Sequence, residues 1–534
     1  MTIFIDTQIS APPSALQIEG QVNSMTELLD RLAERMGTSL AAIDEGGSIT
    51  YIDLRERSRA LARALARQGV TRGDRIGLLA GNGIDWLVVA FAGAAAGGTV
   101  VPFSTWSTSS ELSFLITDAE CKALFISSNF SGRDFTQDLA KLVPENGPRL
   151  ISIGAGGNER FTPLNDFVAE GGADFIQAEA DYDAMILYTS GSTSRPKGVR
   201  LTQSGVVENG LRIGDRMGLQ PGDRVLLPVP LFWAYGGCNA LPAAMTHGAT
   251  LVLPSRFDAS QALDLIERHH CTAIYTLPAI TSSLLRHAEF RPARTESLRT
   301  GLTIGSPEDF RLASERLGIP ELCNIYGATE TYGNCAVTWH HWPVSRRASC
   351  QGPMLQGQMV RFRDPETGDL CPPGKTGLAE VSGRVSPGYF GQSESSNAEA
   401  FTKDEYYRTG DLGHLNNEGD FVFVCRATEM IKRAGINVSP AEIEDVLMQV
   451  SGVSEAAVTG VSNPARGELI VAYVVGEGLD CAEIEAHCRT SLSQYKLPDR
   501  IEITTSLPLT ATGKLQRSVL RQMATDMIAQ EAVL

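Results

Sequence analysis

Tyr188-Thr189-Ser190-Gly191-Ser192-Thr193-Ser194-Arg195-Pro196-Lys197-Gly198 decides how this chain is read. The apolar run Met185-Ile186-Leu187 precedes it and Val199-Arg200-Leu201-Thr202 follows. That pattern reads as strand, loop, strand, with a helix starting near Thr202. The loop is dense in hydroxyl side chains around Gly191, and Lys197 is fenced by Pro196 and Gly198. Backbone N–H groups and hydroxyls in such a loop donate to phosphate oxygens, and the lysine adds a positive charge. Many Gly/Ser-rich stretches are plain surface loops. Two apolar flanks and a buttressed lysine favour a phosphate loop here. A Walker A loop is excluded, because that pattern has glycine before the lysine and Ser or Thr after it.

The whole chain sets bounds on partners and compartment. Its 534 residues imply several domains. A hydrophobic fraction of 43% with 20% charged residues is that of a soluble globular protein. The net charge of −16 argues against a nucleic-acid binder and against an anionic membrane surface. The ten cysteines form no C-x-x-C pair and no zinc spacing, so reduced structural thiols in a cytoplasmic compartment are expected. No Lys or Arg precedes Arg31, so a secretory n-region is not expected. The most apolar run, Trp86 to Val101, is too short to span a bilayer and reads as a buried helix entering a strand.

Along the chain, residues 1–20 read as a loose arm, Met25 to Arg35 and Tyr51 to Gln68 as helices, and Arg75 to Leu79 as a strand. Helical and apolar-strand segments keep alternating, before and after the phosphate loop. That is the texture of two α/β subdomains. Between Gly352 and Tyr407, short strands separated by Gly/Pro turns predict a small β-barrel-like subdomain. After Arg426 the pattern is a compact α+β unit. The expected domains are 1–427 and 428–534.

Four further constellations carry chemistry. Tyr326-Gly327-Ala328-Thr329-Glu330 follows an apolar strand; the aromatic can stack on a base and Glu330 can hold Mg²⁺, which prefers hard oxygen ligands shared with phosphates. Tyr407-Arg408-Thr409-Gly410-Asp411 and, beyond a hairpin, Arg426 form the next. Lys432-Arg433-Ala434-Gly435 leads into a helix with Pro440 in its first turn. Pro508-Leu509-Thr510-Ala511-Thr512-Gly513-Lys514 closes the series.

Taken in order from 188 to 517, these five motifs resemble the adenylate-forming superfamily of acyl-CoA synthetases, peptide-synthetase adenylation domains and beetle luciferases, most of all the acyl-CoA synthetases. The resemblance implies a large N-terminal adenylation domain and a small mobile C-terminal domain. It implies ATP, Mg²⁺ and coenzyme A as reactants. Nucleotide contacts then fall on Thr189, Ser190, Gly191, Ser192, Thr193, Lys197, Gly305, Ser306, Pro307, Tyr326, Asp411 and Arg426, with Gly435 at the pantetheine arm. Catalytic roles fall on Lys514, Thr329, Glu330 and Lys432, and Glu330 is also the metal ligand. Three positions depart from the family pattern: Ser194 and Cys425 stand where glycine is usual, and Thr428 where the hinge usually carries Asp or Lys.

The same resemblance puts the acid pocket at Trp233, Tyr235, Gly236, Asn239, Thr331 and Tyr332. No aspartate in Phe232–Asn239 is available to hold an α-amine, which disfavours an α-amino acid, and a bulky aromatic next to glycines suggests a medium-sized, largely apolar acid: aryl, alicyclic or medium-chain. Transfer to a carrier-protein thiol, luciferase chemistry and a nucleotide-binding homologue that has lost catalysis are the alternatives. No transmembrane segment is expected, and a homodimer is left open.

Overall fold

The computed structural model describes residues 22–174, 178–189, 196–391, 394–433, 436–463, 467–492, 494–510 and 515–531. The N-terminal arm, Ser190 to Arg195, Gly435 and Lys514 lie outside these residues, and so does the side chain of Lys432.

The first sheet has seven strands, in the order Thr162–Pro163, Arg149–Ile153, Cys121–Ser127, Arg75–Leu79, Thr99–Pro102, Asp183–Thr189 and Lys197–Thr202. All neighbours are parallel except the last pair, an antiparallel hairpin. Its centre explains the apolar run noted above: helix Ile84–Ala95 is buried except at Asp85, and Thr99–Pro102 is buried throughout. Strands covered on both faces carry no polar alternation.

The second sheet has eight strands, six of them a parallel run, which includes Arg224–Leu226, Thr250–Val252, Ala273–Tyr275, Thr300–Thr303 and Glu321–Tyr326. Leu40–Asp44 joins it from the N-terminal region, beside Thr250–Val252. The two α/β subdomains are thereby laced together by the early chain. Helix Gln203–Met217 starts where expected; Thr202 Oγ1 accepts from Gly205 N and caps it.

The β-rich stretch forms a four-stranded antiparallel sheet: Gln358–Arg363, Gly377–Gly383, Tyr407–Leu415 and Phe421–Arg426. A five-stranded sheet beyond Arg426, with helices Pro440–Leu447, Cys481–Ser491 and Arg517–Glu531, makes the small C-terminal domain. All ten cysteines are unbridged, and eight are buried. Among the described residues, no helix is long and apolar enough to cross a membrane.

Candidate active site

Hairpin register sets Thr189 opposite Lys197, so the two ends of the hydroxyl-rich loop are pinned, and Thr189 Oγ1 donates to Lys197 O at 3.5 Å. The loop leaves the C-terminal end of a strand, where open α/β sheets bind ligands. Beside it, the 386–390 segment crosses the Lys197–Thr202 strand: Phe390 N donates to Gly198 O at 2.7 Å, and Val199 bridges Tyr389. Tyr389 then connects two of the expected site residues. Lys197 Nζ lies 5.2 Å from its ring centre, and its hydroxyl donates to Glu330 Oε1 at 2.9 Å.

Glu330 is 7% exposed and lies in the single turn Thr329–Thr331 that follows strand Glu321–Tyr326. The Tyr407 phenol lies close enough for the Glu330 charge to act on it. Burial first and the Glu330 charge second push both tyrosines well above the ordinary phenol range, so they stay protonated. A phenol donating to a buried carboxylate holds its orientation.

Asp411 is buried and shared. Tyr326 Oη donates to its Oδ2 at 2.6 Å, and Arg426 Nε lies 2.9 Å from its Oδ1. Arg426 Nη1 also donates to Thr409 O at 3.0 Å. The strands explain the pairing, since Asp411 and Arg426 are register partners. Tyr326 was expected to stack on a base; one face of its ring is covered by Phe421, with centroids 4.2 Å apart. Phe423, 38% exposed, lies alongside at 5.9 Å and extends the aromatic surface outward.

Gly305 has φ +137°, and a Cβ there would meet Asp309 Oδ2 at 2.7 Å and Pro278 at 3.0 Å, so only glycine fits. The Ser306 hydroxyl and Pro307 are engaged in starting helix Pro307–Arg311: Asp309 N donates to Ser306 Oγ, and Pro307 occupies the first turn.

Trp233, Tyr235, Gly236 and Asn239 fall in and just before the π-helical turn Ala234–Ala240. A Cβ on Gly236 would lie 2.1 Å from Pro230 O, which forces glycine and draws the turn tightly back. The turn abuts Gly333, whose Cβ would sit 3.3 Å from Ala234 O. Half-buried Trp233 meets Trp106 edge-on at 5.1 Å, and Trp106 meets Phe232 at 5.3 Å. Tyr235 rests on Tyr275 at 5.1 Å.

Three residues expected in the acid pocket are engaged elsewhere. Tyr332 turns its hydroxyl onto Thr202 Oγ1 at 2.9 Å, filling the space above Gly205 at the start of helix Gln203–Met217. Thr331 Oγ1 closes its own turn onto Ala328. Asn239 is fully buried and accepts from Tyr275 Oη at 2.9 Å. For Tyr332 and Thr331 a helix end or turn backbone that needs a polar partner claims the side chain, and for Asn239 a buried phenol does.

Sequence reasoning missed Tyr389, Tyr407, Phe423 and Trp106. Period-2 alternation along Tyr407–Leu415 places Tyr407 on the face of Thr409 and Asp411, and was a usable signal for Tyr407. Tyr389 and Trp106 carried no local signal.

Tyr389 joins one lysine to one buried carboxylate, and Tyr326 bonds the carboxylate of a carboxylate–guanidinium pair. Among the described residues, no cluster of three or more His, Cys, Asp or Glu could hold a metal. A lone oriented carboxylate beside a phosphate loop still fits Mg²⁺, which is commonly bound through one or two carboxylates plus substrate phosphates.

A family model described as AMP-binding enzyme matches residues 29–390, and one described as AMP-binding enzyme C-terminal domain matches 442–514. The chain is 30% identical over 538 residues to "Medium-chain acyl-CoA ligase ACSF2, mitochondrial" of Mus musculus, covering 93% of this chain and 86% of that protein. It is 31% identical to "Acyl-CoA ligase SID4" of Ajellomyces capsulatus, covering 90% and 87%. Among solved structures, ATP-bound MatB from Rhodopseudomonas palustris superposes with a TM-score of 0.84 at 29% identity, covering 94% of this chain and 99% of that one. Matched over both its large and its C-terminal domain, the chain belongs to the AMP-binding family of adenylate-forming enzymes.

Proposed function

We propose that this enzyme activates a carboxylic acid with Mg-ATP and passes the acyl group to coenzyme A. The observation that carries the reading is the contact chain Lys197–Tyr389–Glu330, together with the Tyr326–Asp411–Arg426 set. Asp411 suits ribose hydroxyls, because a carboxylate has about four acceptor positions. Glu330 would hold Mg²⁺, which draws charge from the phosphates when bound.

In the first half-reaction, a carboxylate oxygen of the acid attacks the α-phosphorus. The bond from that phosphorus to the β-bridging oxygen breaks, and pyrophosphate leaves. Lys197 and the hydroxyl-rich loop bind the departing β- and γ-phosphates. Lys514 stabilises charge at the α-phosphate, Thr329 orients the phosphate beside Glu330, and Arg426 with Asp411 holds the nucleoside. In the second half-reaction the CoA sulfur, its proton lost, attacks the acyl carbonyl carbon, and AMP leaves with the electron pair of the acyl–oxygen bond. Gly435 and Lys432 then face the pantetheine arm after the domain of residues 428–534 has turned.

For the acid, we favour a medium-sized apolar tail. Trp233, Trp106 and Phe232 offer aromatic walls, and no carboxylate in Phe232–Asn239 would hold an amine. The name of the mouse relative, a medium-chain acyl-CoA ligase, points the same way. The test is acid-dependent ATP–pyrophosphate exchange over a panel of medium-chain, aryl and alicyclic acids, then mass spectrometry of the product with CoA as the sole thiol. Exchange with no acyl-CoA would move the acceptor to a carrier-protein thiol. No exchange with any acid would sink the ligase reading.

A further inference from the structure

Arg517 opens helix Arg517–Glu531, three residues after Lys514. Its guanidinium serves two carboxylates. Nη1 and Nη2 donate to Glu444 at 2.9 and 3.1 Å, and Nε lies 3.1 Å from Glu429 Oε2. Nη1 also donates to Val458 O at 3.0 Å. The partners come from separate places. Glu429 lies in the connection between strand Phe421–Arg426 of the four-stranded sheet and strand Ile431–Arg433 of the five-stranded one. Glu444 sits on helix Pro440–Leu447, just after the hairpin that flanks Gly435. Val458 belongs to strand Val453–Asn463.

One guanidinium therefore joins the interdomain connection, the element behind the Gly435 hairpin and the end of the Lys514 segment. The base of that segment is closed as well: Leu509 bridges Leu515, and Gln516 N donates to Pro508 O at 2.8 Å. Cys425 is buried at the same junction. Burial first and Glu429 second push its thiol up to about 12, while Arg517 opposes them.

We propose that Arg517 is a positioning residue for adenylation: held by Glu429, it ties the Lys514 segment to the connection about which the C-terminal domain turns. The proposal rests on the function argued above. Thr428 stands at the usual place of a charged hinge residue, and the Glu429–Arg517 pair supplies a charge link one residue further on. The planar guanidinium suits the task, because its forked N–H groups engage Glu444 bidentately and still leave an Nε to reach Glu429. The two arms differ in place. Glu444 lies on a helix of the C-terminal domain and supports its fold, whereas Glu429 lies at the very start of that domain, next to Thr428 in the connection.

That difference gives the test. Glu429→Gln should slow kcat of acid-dependent ATP–pyrophosphate exchange about tenfold, with KM for ATP within about twofold of the parent. Thioester formation from a supplied acyl-adenylate, and the thermal midpoint, should both stay near the parent values. Hydrogen exchange in 508–516 should rise in the same variant. Arg517→Lys, which keeps the charge and loses the fork, should reproduce the kinetic split in weaker form. A parallel loss in both half-reactions would make the contact merely structural and overturn the proposal. Unchanged hydrogen exchange would overturn it whatever the acid panel gives, whereas a parent enzyme inert with every acid would sink the functional reading alone.

Discussion

Tyr389→Phe separates a hydroxyl from a ring. The ring faces Lys197 Nζ at 5.2 Å and survives the change; the hydroxyl donating to Glu330 at 2.9 Å does not. A hydrogen bond to a charged group contributes about 1.5–3 kcal/mol net. The Tyr407 phenol beside Glu330 can replace part of the lost bond, so the lower half of that range applies. At about 1.4 kcal/mol per factor of ten, the loss is about tenfold to fortyfold. If Glu330 holds Mg²⁺, the effect falls on the Mg²⁺ concentration for half-maximal ATP–pyrophosphate exchange and on kcat, with KM for the acid nearly unchanged. The assay is that exchange under a Mg²⁺ titration, beside a thermal melt. Combining the change with Glu330→Gln should add almost nothing, because the two share one interaction. A variant within twofold of the parent in both quantities, or a fully additive double variant, would refute the orienting role.

The other expectations concern the nucleoside, the acid, the backbone and pH. Asp411→Asn leaves Arg426 without its charge partner and should raise KM for ATP about tenfold, with a smaller change in kcat; an unchanged KM would remove Asp411 from the ribose role. Trp233→Ala should lower kcat/KM about tenfold for the best acid and move the preference toward bulkier tails; an unchanged rank order over the panel would exclude Trp233 from the pocket. Gly236→Ala places a Cβ 2.1 Å from Pro230 O, and the expected loss of several kcal/mol, about 3 or more, should appear as a lower denaturant midpoint. Asp445, on helix Pro440–Leu447, is pushed up to about 6, by burial first and then by Glu444, Asp309 and Glu308, with Arg311 opposing. Its folded form holds a proton that the unfolded form, with an ordinary value of 3.8, has released. Stability therefore falls as pH rises from about 4 to about 6 and is flat above. Asp445→Asn should raise the melting temperature more at pH 7 than at about pH 5, and equal shifts at both would refute that sign.

Local chemistry decided what the sequence disclosed. The hairpin around the phosphate loop was legible because its register is set by adjacent residues, with apolar flanks on both sides. The Asp411–Arg426 partnership was implied by a motif and a hairpin, and strand pairing puts the two opposite one another. Glu330 was legible as a carboxylate after a strand, but not its partners: Tyr389 is 59 residues away, and only the crossing of 386–390 over Lys197–Thr202 brings it in. Trp106 comes from the loop after Thr99–Pro102 of the other sheet, and no pattern within either segment announces their meeting.

Tyr332 shows the opposite case. Its place beside Glu330 suggested a substrate contact, but a positive φ of 60° turns it onto the cap of helix Gln203–Met217, where Gly205 leaves room for its ring. Polar groups at helix ends must be satisfied before a side chain is left over for a ligand. Motif reading places a residue along the chain; these unpaired backbone groups decide which way it faces. The same logic governs Arg517. It follows Lys514 by three residues, and two acids and a carbonyl from three separate segments converge on it. A residue on which so many elements depend is where a change in the hinge would be felt at the lysine, although it touches no substrate.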